Sequence, residues 1–317
     1  MKRHTRLTGL ILLCFLAIVV PFAGAHAEEK AETEPTVTEE KSGLVRENGK
    51  YHLYSDGKLI KKSWQTVDNA RYYFDNKGNA VVGSNKIGKT VYIFKQNGKL
   101  FCPKKARFTK VNNSYYLADR NGKAVKGWQV VDKKLYYMNK NGMMIKDRKI
   151  ENIRLGADGS AKKSSRTKLK IKVINIVNDI TTEKMSKRQK LRACWNYCVS
   201  HSRFRYSSAK YPNLRKSGWY RDTAYDMLTT RRGNCYSFAC AFAALADQVG
   251  YDCKVVCGRV SGSRDHASDG LTRHAWVQIN GRNYDPEGEF AGWKRGVYGL
   301  GSYSIRHTVQ KKVTFKY

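Results

Sequence analysis

A cysteine, a histidine and an aspartate occur in an order and in surroundings that suit thiol catalysis. Cys235 stands just before an apolar stretch, His274 lies in an alternating segment further along, and Asp285 follows it. A thiol is a nucleophile only as the thiolate, so it needs a charge environment that favours ionisation and a base that is held in place. We therefore predict that Cys235, His274 and Asp285 form one nucleophilic site.

The helix that is expected to carry Cys235 favours its ionisation. Apolar residues recur after it at helical spacing: Phe238, Ala239, Phe242, Leu245, Ala246 and Val249. Gly233 is expected to let the chain turn sharply, Asn234 suits the N-cap, and Gly250 suits the helix end. Cys235 then lies in the first turn, where unpaired N–H groups and the helix dipole favour a thiolate. The alternative is a small buried residue without chemistry, as expected for Cys240.

A hairpin is expected to bring His274 and Asp285 together. Asn280-Gly281 is a strong signal for a two-residue turn. In the register that this turn sets, His274 and Asp285 are diagonal neighbours on one face, with Cβ atoms about 7 Å apart. Glu287 lies directly opposite His274 and is the alternative acid, but Pro286 is expected to end the pairing before it. The other predicted pairs are Ile279 with Arg282, Val277 with Tyr284 and Trp276 with Asp285.

Two further helices are expected before Cys235. Residues 186–189, Ser-Lys-Arg-Gln, form a capping box, and apolar residues follow at helical spacing. Asp222 is expected to cap a second, shorter helix. Together with the alternating segments, these helices predict an α+β domain over residues 169–317. A polar basic connector at residues 161–168 is expected to precede it.

Residues 44–160 repeat a short pattern about every 20 residues, which is typical of a repeat array. Each unit has an alternating aromatic strand, then a glycine turn, then a second short strand. One hairpin cannot bury its apolar face alone, so we predict that the units stack into a β-hairpin solenoid.

The first residues have the features of an export signal. A basic start, an apolar run and Ala25-His26-Ala27 predict cleavage after residue 27, with an uncleaved anchor as the alternative. Residues 28–43 are acidic and resemble a solvated linker. Because no later segment is long and apolar enough to span a bilayer, we expect no membrane span after cleavage.

The net charge of +34 predicts a polyanionic partner for the exported chain. Anionic cell-wall polymers or glycans, bound through the basic repeats, are the expected partners. Nucleic acid is not expected, because no nucleic-acid reader motif interrupts the basic stretches.

Cysteine usage indicates a free thiol. The chain has eight cysteines, and removal of Cys14 with the export signal leaves an odd number. An odd count in a secreted chain indicates a reactive thiol, while the pairing of the others stays open. Cys253 and Cys257 fall in an extended segment and would lie about 13 Å apart, too far for one zinc ion. Neither a metal nor another cofactor is expected.

The repeats resemble the cell-wall-binding repeats of Gram-positive bacteria, of the choline- and glucan-binding type. The matching segments are Trp64-Gln65 before Tyr72-Tyr73, Gly127-Trp128-Gln129 before Tyr136-Tyr137, and Gly142-Met143-Met144. The resemblance implies a location at the cell wall or surface and cation–π binding by aromatic side chains. The implied wall-ligand aromatics are Trp64, Tyr72, Tyr73, Trp128, Tyr136 and Tyr137. The alternative is a spacer whose tyrosines only pack.

The second half resembles the transglutaminase core. The segments that carry the resemblance are Gly233-Asn234-Cys235, His274-Ala275-Trp276-Val277 and Asp285-Pro286. The resemblance implies a papain-like fold, with helices packed on an antiparallel sheet. It implies that Cys235 is the nucleophile, His274 the general base and acid, and Asp285 the carboxylate that orients the histidine. The backbone N–H of Cys235 would stabilise the oxyanion, with Trp219 as a second donor.

The implied reaction is acyl transfer or hydrolysis at a carboxamide or peptide bond of a protein or peptide substrate, through a thioester. The same three residues serve an amine or water as acceptor, so cross-linking and hydrolysis both stay open. Two alternatives are kept: a cysteine peptidase or amidase that acts on wall peptides, and a non-catalytic wall-binding surface protein.

Overall fold

The computed structural model describes residues 40–317, apart from residues 209–210, 294–296 and 304. The expected export signal and nearly all of the expected acidic linker lie outside the described residues. In the part that is described, no helix is long and apolar enough to cross a membrane. Residues 41–317 make up one compact unit.

Short antiparallel hairpins follow one another along the first half. Strands β1, β2 and β3 form one small sheet, and β4 to β13 form five hairpins of consecutive strands. The strands are β1 (Gly43–Glu47), β2 (Lys50–Ser55), β3 (Lys58–Leu59), β4 (Ser63–Val67), β5 (Ala70–Phe74), β6 (Gly83–Ile87), β7 (Thr90–Phe94), β8 (Phe108–Val111), β9 (Ser114–Leu117), β10 (Gly127–Val131), β11 (Lys134–Met138), β12 (Lys149–Ile150) and β13 (Ile153–Arg154).

Each aromatic strand also pairs with the strand before it through a tight hairpin turn, and the predicted short strand after the glycine turn is a full strand only as β3. Between β4 and β5, Asp68 and Asn69 both have positive φ, at 47° and 59°. Two consecutive residues of this kind form the turn whose twist matches a two-residue hairpin. The glycine turn after the aromatic strand leads to a single bridge in most units, such as Phe94 with Leu100.

Backbone hydrogen bonds join each unit to an earlier one. The second residue after the glycine of each turn donates its N–H to a carbonyl oxygen in the aromatic strand of the preceding unit. Gly98 and Gly142 allow this close approach, because a Cβ there would lie 2.9 Å from Ala80 Cβ and 2.8 Å from Ala124 Cβ, respectively. The bonds are Ala80 to Tyr51 (2.7 Å), Leu100 to Arg71 (2.7 Å), Ala124 to Val91 (2.9 Å), Met144 to Tyr115 (2.8 Å) and Ala161 to Leu135 (2.7 Å).

Helices and one antiparallel sheet form the second half. The five-stranded sheet has the order β19-β18-β17-β16-β20, with every neighbouring pair antiparallel. The buried helix α4 packs against β16 and β17. The elements are α1 (Ser165–Ile180), α2 (Lys187–Cys198), β14 (Arg205–Tyr206), α3 (Trp219–Thr230), β15 (Arg232–Gly233), α4 (Cys235–Gln248), β16 (Cys253–Ser261), β17 (Leu271–Ile279), β18 (Arg282–Tyr284), α5 (Pro286–Phe290), β19 (Tyr298–Leu300) and β20 (His307–Thr314).

Several local predictions are confirmed. The Ser186 hydroxyl accepts from the Gln189 N–H and completes the capping box of α2. The Asn234 side chain caps α4, and Gly250 follows its C-cap with a φ of 90°. The hairpin register agrees for the pairs Ile279 with Arg282 and Val277 with Tyr284.

Two other local features differ from expectation. Helix α3 begins at Trp219 and its N-cap is Gly218, so Asp222 lies within the first turn and does not cap it. Gly218 has a φ of 75°, which lets the chain enter the helix one turn earlier. Helix α1 begins at Ser165 with Ser164 as its cap, so the last residues of the expected connector are helical.

Helix α1 packs on two sides. One face contributes Ile174 to a cluster with the last hairpins, and another contributes Leu169 and Val173 to the main core around α4. The hairpin members of the first cluster are Trp128, Leu135, Ile153 and Leu155. The helix therefore joins the hairpins to the α+β part through buried apolar contacts.

Candidate active site

Cys235 is the first residue of α4 and is fully buried, at 0% exposure. The Asn234 side chain accepts a hydrogen bond from the Tyr236 N–H at 3.1 Å, which anchors the first turn. The Gly233 backbone is not in the left-handed region, and its role is close packing. A Cβ on Gly233 would lie 2.3 Å from Ser237 Cβ and 3.0 Å from Met227 Sδ.

His274 and Asp285 meet at one end of the β17–β18 hairpin. His274 Nε2 lies 2.7 Å from Asp285 Oδ2. The strand pairing ends at Tyr284, because Asp285 is the N-cap of α5 and Pro286 is its first residue. The expected ladder pair of Trp276 with Asp285 is therefore not formed. Asp285 Oδ1 instead accepts from the Gly288 N–H at 2.9 Å, which holds the carboxylate in place.

The buried charges act strongly on each other. Burial tends to lower the pKa of His274, but the Asp285 charge and hydrogen bonds with Asp285 and Cys235 hold it well above the ordinary 6.5. Burial tends to raise the pKa of Asp285, but His274 and the hydrogen bonds from Tyr303 and Gly288 hold it below 3.8. This arrangement favours the imidazolium form of His274, between the Asp285 carboxylate and the Cys235 side chain.

The Cys235 thiol lies close to the strand that carries the histidine. Its Sγ is 3.9 Å from the carbonyl oxygen of Arg273, the residue before His274. Both Cys235 and His274 are almost fully buried, at 0% and 1% exposure. The thiol and the imidazole thus both lie below the surface of the described chain.

Glu287 lies on the other side of the histidine. Its Oε2 is 3.7 Å from His274 Nδ1 but forms no hydrogen bond within the described chain. Burial raises the pKa of Glu287, and the opposing charges of His274 and Arg264 do not cancel this effect. Asp285, and not Glu287, is therefore the carboxylate that is hydrogen-bonded to His274.

Sequence reasoning missed the aromatic side chains around the histidine. Tyr303 donates its hydroxyl to Asp285 Oδ2, and its ring stacks on Trp276 at 4.7 Å and 10°. The Trp293 ring lies 5.3 Å from the His274 ring. These residues come from loops beyond the hairpin, and their spacing in the sequence carries no periodic signal. Only the folded sheet brings them to the site.

Trp219 begins α3 and is buried. Its ring contacts are edge-on to Tyr220 and Tyr236, at 6.0 and 6.2 Å. Together with Ser237, it lines a cavity of about 470 Å³. The structure therefore places the expected second oxyanion donor next to the first turn of α4, without a described hydrogen bond to the triad.

The expected wall-ligand aromatics divide into two environments. Trp64 is partly exposed, and its ring lies 5.4 Å from Tyr73 and 5.0 Å from Tyr92. The Arg71 guanidinium stands 4.5 Å from the Trp64 ring centre. Tyr72, in contrast, is 2% exposed and packs in the core of the first units. Trp64 is therefore packed against two tyrosine rings, and a cation of the chain itself lies over its own ring.

The second set of expected aromatics lies near the end of the hairpins. Trp128 is buried, and its indole N–H donates to Glu151 Oε2 at 2.9 Å. Tyr137 packs edge-on against Trp128 at 5.1 Å, and Tyr136 packs against Phe108 at 4.9 Å. These side chains are engaged with one another within the fold.

The seven described cysteines are all free thiols, and Cys102 is the exposed one among them. Cys253 and Cys257 both lie on strand β16, as the sequence predicts. Within the described chain, the one group of three metal-type ligands is His274, Asp285 and Glu287. This group is the acid and base set of the site itself.

Comparison with known families agrees with both resemblances that the sequence shows, one in each half of the chain. Residues 174–290 match the Transglutaminase-like superfamily, and this range includes Cys235, His274 and Asp285. Residues 62–80 match a cell wall binding repeat of the choline-binding type. The two matches support a transglutaminase-like protein that is associated with the cell wall. No curated protein matches the chain.

Solved structures with similarity to the chain include three bacterial proteins. Choline binding protein F from Streptococcus pneumoniae, crystallised with a peptidoglycan analogue, is 21% identical over 39% of this chain and 40% of its own, with a TM-score of 0.30. The modular autolysin LytC from the same species is 22% identical over 38% and 28%, at 0.28. A truncated alternansucrase from Leuconostoc mesenteroides is 28% identical over 38% and 11%, at 0.28. The chain thus spans less than half the length of each.

Proposed function

We propose that this protein is a cell-wall-associated cysteine enzyme of the transglutaminase type. It acts on a carboxamide or peptide bond of a protein or peptide, through a thioester on Cys235. The observation that supports this most directly is the position of His274, hydrogen-bonded to Asp285 and in contact with Cys235. A histidine between an acid and a thiol is the arrangement that an activated cysteine requires.

The first half of the reaction forms the thioester. The Cys235 thiolate attacks the carbonyl carbon, and the oxygen gains negative charge. In this proposal the backbone N–H of Cys235, at the N-terminus of α4, stabilises this oxyanion. His274 then donates its proton to the departing nitrogen, and ammonia or an amine leaves.

The second half releases the acyl group. An amine or a water molecule attacks the thioester carbonyl, and the Cys235 thiolate leaves. His274, now neutral, takes a proton from the attacking group and returns to the imidazolium form. Asp285 keeps the ring oriented and stabilises its charge in both halves.

The acceptor is identified by one pair of reactions. The full-length protein is incubated with a glutamine-bearing peptide, with and without a primary amine. We expect incorporation of the amine, and its loss in Cys235→Ala by at least about a thousandfold. Cys102→Ser is the matched control, because Cys102 is an exposed thiol in the hairpin region.

The other possible results of this experiment distinguish the hydrolase and the non-catalytic alternatives. Release of ammonia or a peptide fragment without incorporation identifies a hydrolase, that is, the amidase or peptidase alternative. Equal activity in wild type and Cys235→Ala, or no activity in either protein with or without the amine, contradicts the proposal. In the latter case the protein acts as a non-catalytic surface protein.

The wall location is proposed from the hairpin half. In this proposal residues 1–27 are an export signal, residues 44–160 form a solenoid that binds the wall, and residues 169–317 form a papain-like catalytic part. The match of residues 62–80 and the basic charge support it. We expect the protein to sediment with purified Gram-positive walls and to be partly released by salt, because salt screens exposed charges. No sedimentation at low salt contradicts the proposal.

A further inference from the structure

A cavity lies at the junction where the last hairpins, helix α1 and the end of α4 meet. Its volume is about 540 Å³, a size at which small-molecule sites are common. Trp128 and Glu151 line it from the hairpins, Lys170 lines it from α1, and Gln248 and Tyr317 line it from the α+β part. The residues of the proposed triad do not line it, so this cavity is distinct from the candidate active site.

The floor of the cavity holds a buried cation. Lys170 is 5% exposed, and its Nζ lies 3.7 Å from the centre of the Tyr317 ring and 3.7 Å from Glu151 Oε2. The second distance is longer than a hydrogen bond. Glu151 Oε2 instead accepts from the Trp128 indole N–H at 2.9 Å. The Lys170 ammonium, which has three N–H donors, therefore has donors left for a further acceptor.

Gln248 brings an acceptor to the same cavity. Its Oε1 is buried and forms no hydrogen bond within the described chain. A buried polar atom without a partner raises the free energy of the folded state, so native structures contain few of them. Because Gln248 lines the cavity, a ligand atom there is a fitting partner for this oxygen.

Asp247, in the last turn of α4, adds a carboxylate whose charge is only partly compensated. Burial raises its pKa to about 6; the charges of Lys170 and Lys316 lower it, and the charge of Glu151 raises it further. Burial also lowers the pKa of Lys170, while the charges of Glu151 and Asp247 oppose this effect. Polar groups of both signs thus line the cavity without satisfying one another.

The mixture of groups favours a neutral ligand that carries several hydroxyls. Glu151, Asp247 and Asp252 supply three carboxylates, and Lys170 and Lys316 supply two ammonium groups. An anion is repelled by the carboxylates, and a cation is repelled by the ammonium groups. The carboxylates do not form a metal site, because the one group of three clustered metal-type ligands in the described chain is at the candidate active site. A hydroxyl both donates to a carboxylate or amide oxygen and accepts from an ammonium group.

We propose that this cavity binds a neutral sugar unit of a glycan. Lys170 donates a hydrogen bond to one sugar hydroxyl, and Gln248 Oε1 and the Asp247 carboxylate accept hydrogen bonds from others. Trp128 contributes by holding Glu151 and not by offering the face of its ring, so the site differs from the cation–π binding implied for the repeats. The proposal goes beyond the proposed function, since it needs no chemistry at Cys235. A glycan bound here contacts both halves of the chain.

Calorimetric titration of the full-length protein with two neutral tetrasaccharides tests the site. One consists of glucose units and the other of N-acetylglucosamine units, so the two probes differ in the acetamido group. We expect at least one of them to bind with a Kd of about 1 mM or below. If neither binds at about ten times that concentration, the proposal is overturned and the cavity is one that holds only water.

Variants on two separate helices locate the binding. Lys170→Met keeps an unbranched side chain and removes the ammonium, and it should raise the Kd about tenfold or more. Gln248→Met removes the unpaired oxygen from the end of α4 and should raise the Kd about fivefold. Lys168→Met removes the same charge from an exposed position of α1, so it is the matched control and should bind as the wild type does. An unchanged Kd in both Lys170→Met and Gln248→Met places the sugar elsewhere on the chain and overturns the site.

Two charged probes test the class of ligand, and one further variant separates this proposal from the catalytic one. Choline carries a positive charge and glycerol phosphate a negative one, and we expect Lys170→Met to leave the Kd of either unchanged. A tenfold change for one of them in Lys170→Met and not in Lys168→Met, without binding of a tetrasaccharide, assigns the cavity to a charged ligand and overturns the proposal. Cys235→Ala should bind the tetrasaccharide as the wild type does, so an inactive enzyme would leave this site standing.

Discussion

Tyr303 donates its hydroxyl to Oδ2 of Asp285, the same oxygen that faces Nε2 of His274. The carboxylate is therefore shared between a phenol and an imidazole in a buried setting. A hydrogen bond to a charged group contributes about 1.5–3 kcal/mol. In the proposed catalytic unit, Tyr303 is thus a fourth member, a positioning residue that acts through the acid.

Tyr303→Phe tests this relationship, because phenylalanine keeps the ring stacked on Trp276 and loses only the hydroxyl. We expect kcat to fall about tenfold. The Tyr303 hydrogen bond helps to lower the pKa of Asp285, so its loss raises that pKa. The acidic limb of the activity profile should therefore move to higher pH. A pH series of kcat/KM for both proteins measures the shift; an unchanged profile assigns Tyr303 a packing role only.

The free energy of unfolding should depend on pH in a way that reflects the buried pair of His274 and Asp285. Asp285 has a pKa below its ordinary 3.8, so its contribution is present above 3.8 and is lost as pH falls through the lower folded value. His274 has a pKa raised well above 6.5, so its contribution is complete below 6.5 and is lost as pH rises through the higher folded value. The pair therefore stabilises the fold most between these two limits.

Asp285→Asn should reduce the free energy of unfolding by about 3–5 kcal/mol within that window, and by less at alkaline pH. Urea denaturation at pH 5, 7 and 9 measures the difference. Asp269→Asn, which removes an exposed ion pair with Arg259, serves as the control and should have a much smaller effect. A deficit that grows with alkaline pH would be the opposite of the expected sign.

Gly233 provides a prediction about the nucleophile's helix. In Gly233→Ala the new Cβ would lie 2.3 Å from Ser237 Cβ, so the first turn of α4 must move. We expect a loss of about 1–3 kcal/mol in stability and a lower alkylation rate of Cys235. Gly301→Ala meets no atom within 4 Å and is the matched control. Thermal denaturation measures the stability, and iodoacetamide kinetics measure the alkylation rate of Cys235. Equal stability and equal alkylation rates in Gly233→Ala and Gly301→Ala would refute the packing role.

Arg71 and Trp64 give a prediction for the hairpins. The Arg71 guanidinium occupies the face of Trp64 at which a ligand cation would bind. We expect Arg71→Ala to be retained on immobilised choline more strongly than the wild type, and Trp64→Ala in the same background to lose the gain. Lys86→Ala, which removes a charge from the neighbouring hairpin, controls for the change in net charge. Equal retention of Arg71→Ala and Lys86→Ala would remove Trp64 from consideration as a cation site.

Part of the site could be predicted from short-range sequence signals, namely a turn and a helix cap. The Asn280-Gly281 turn sets the register of β17 and β18 up to Tyr284, and Asn234 sets the start of α4. Both signals act over a few residues, so the sequence alone contains them. They are sufficient to predict that His274 and Asp285 meet, although the acid reaches the base from a helix cap and not from a strand position.

The remaining features depend on long-range packing. Helix α1 alternates polar and apolar residues at its start, which is a strand-like pattern. It is nevertheless helical, and the helix buries Leu169 and Val173 in the main core and Ile174 against the hairpins. Tyr303 and Arg264 reach the site only after the sheet has formed. No spacing rule predicts such contacts, because their partners are distant in the chain.

The two-sided packing of α1 limits how the hairpins and the α+β part can move apart. Ile174 faces the last hairpins while Leu169 and Val173 face the core around α4, so neither part can swing without exposing apolar surface. A catalytic domain on a flexible linker can reach every bond within the length of that linker. In the proposed function, a catalytic part that has no hinge works at a fixed distance from the wall-binding part, so the spacing of groups along the wall polymer selects which of them are modified.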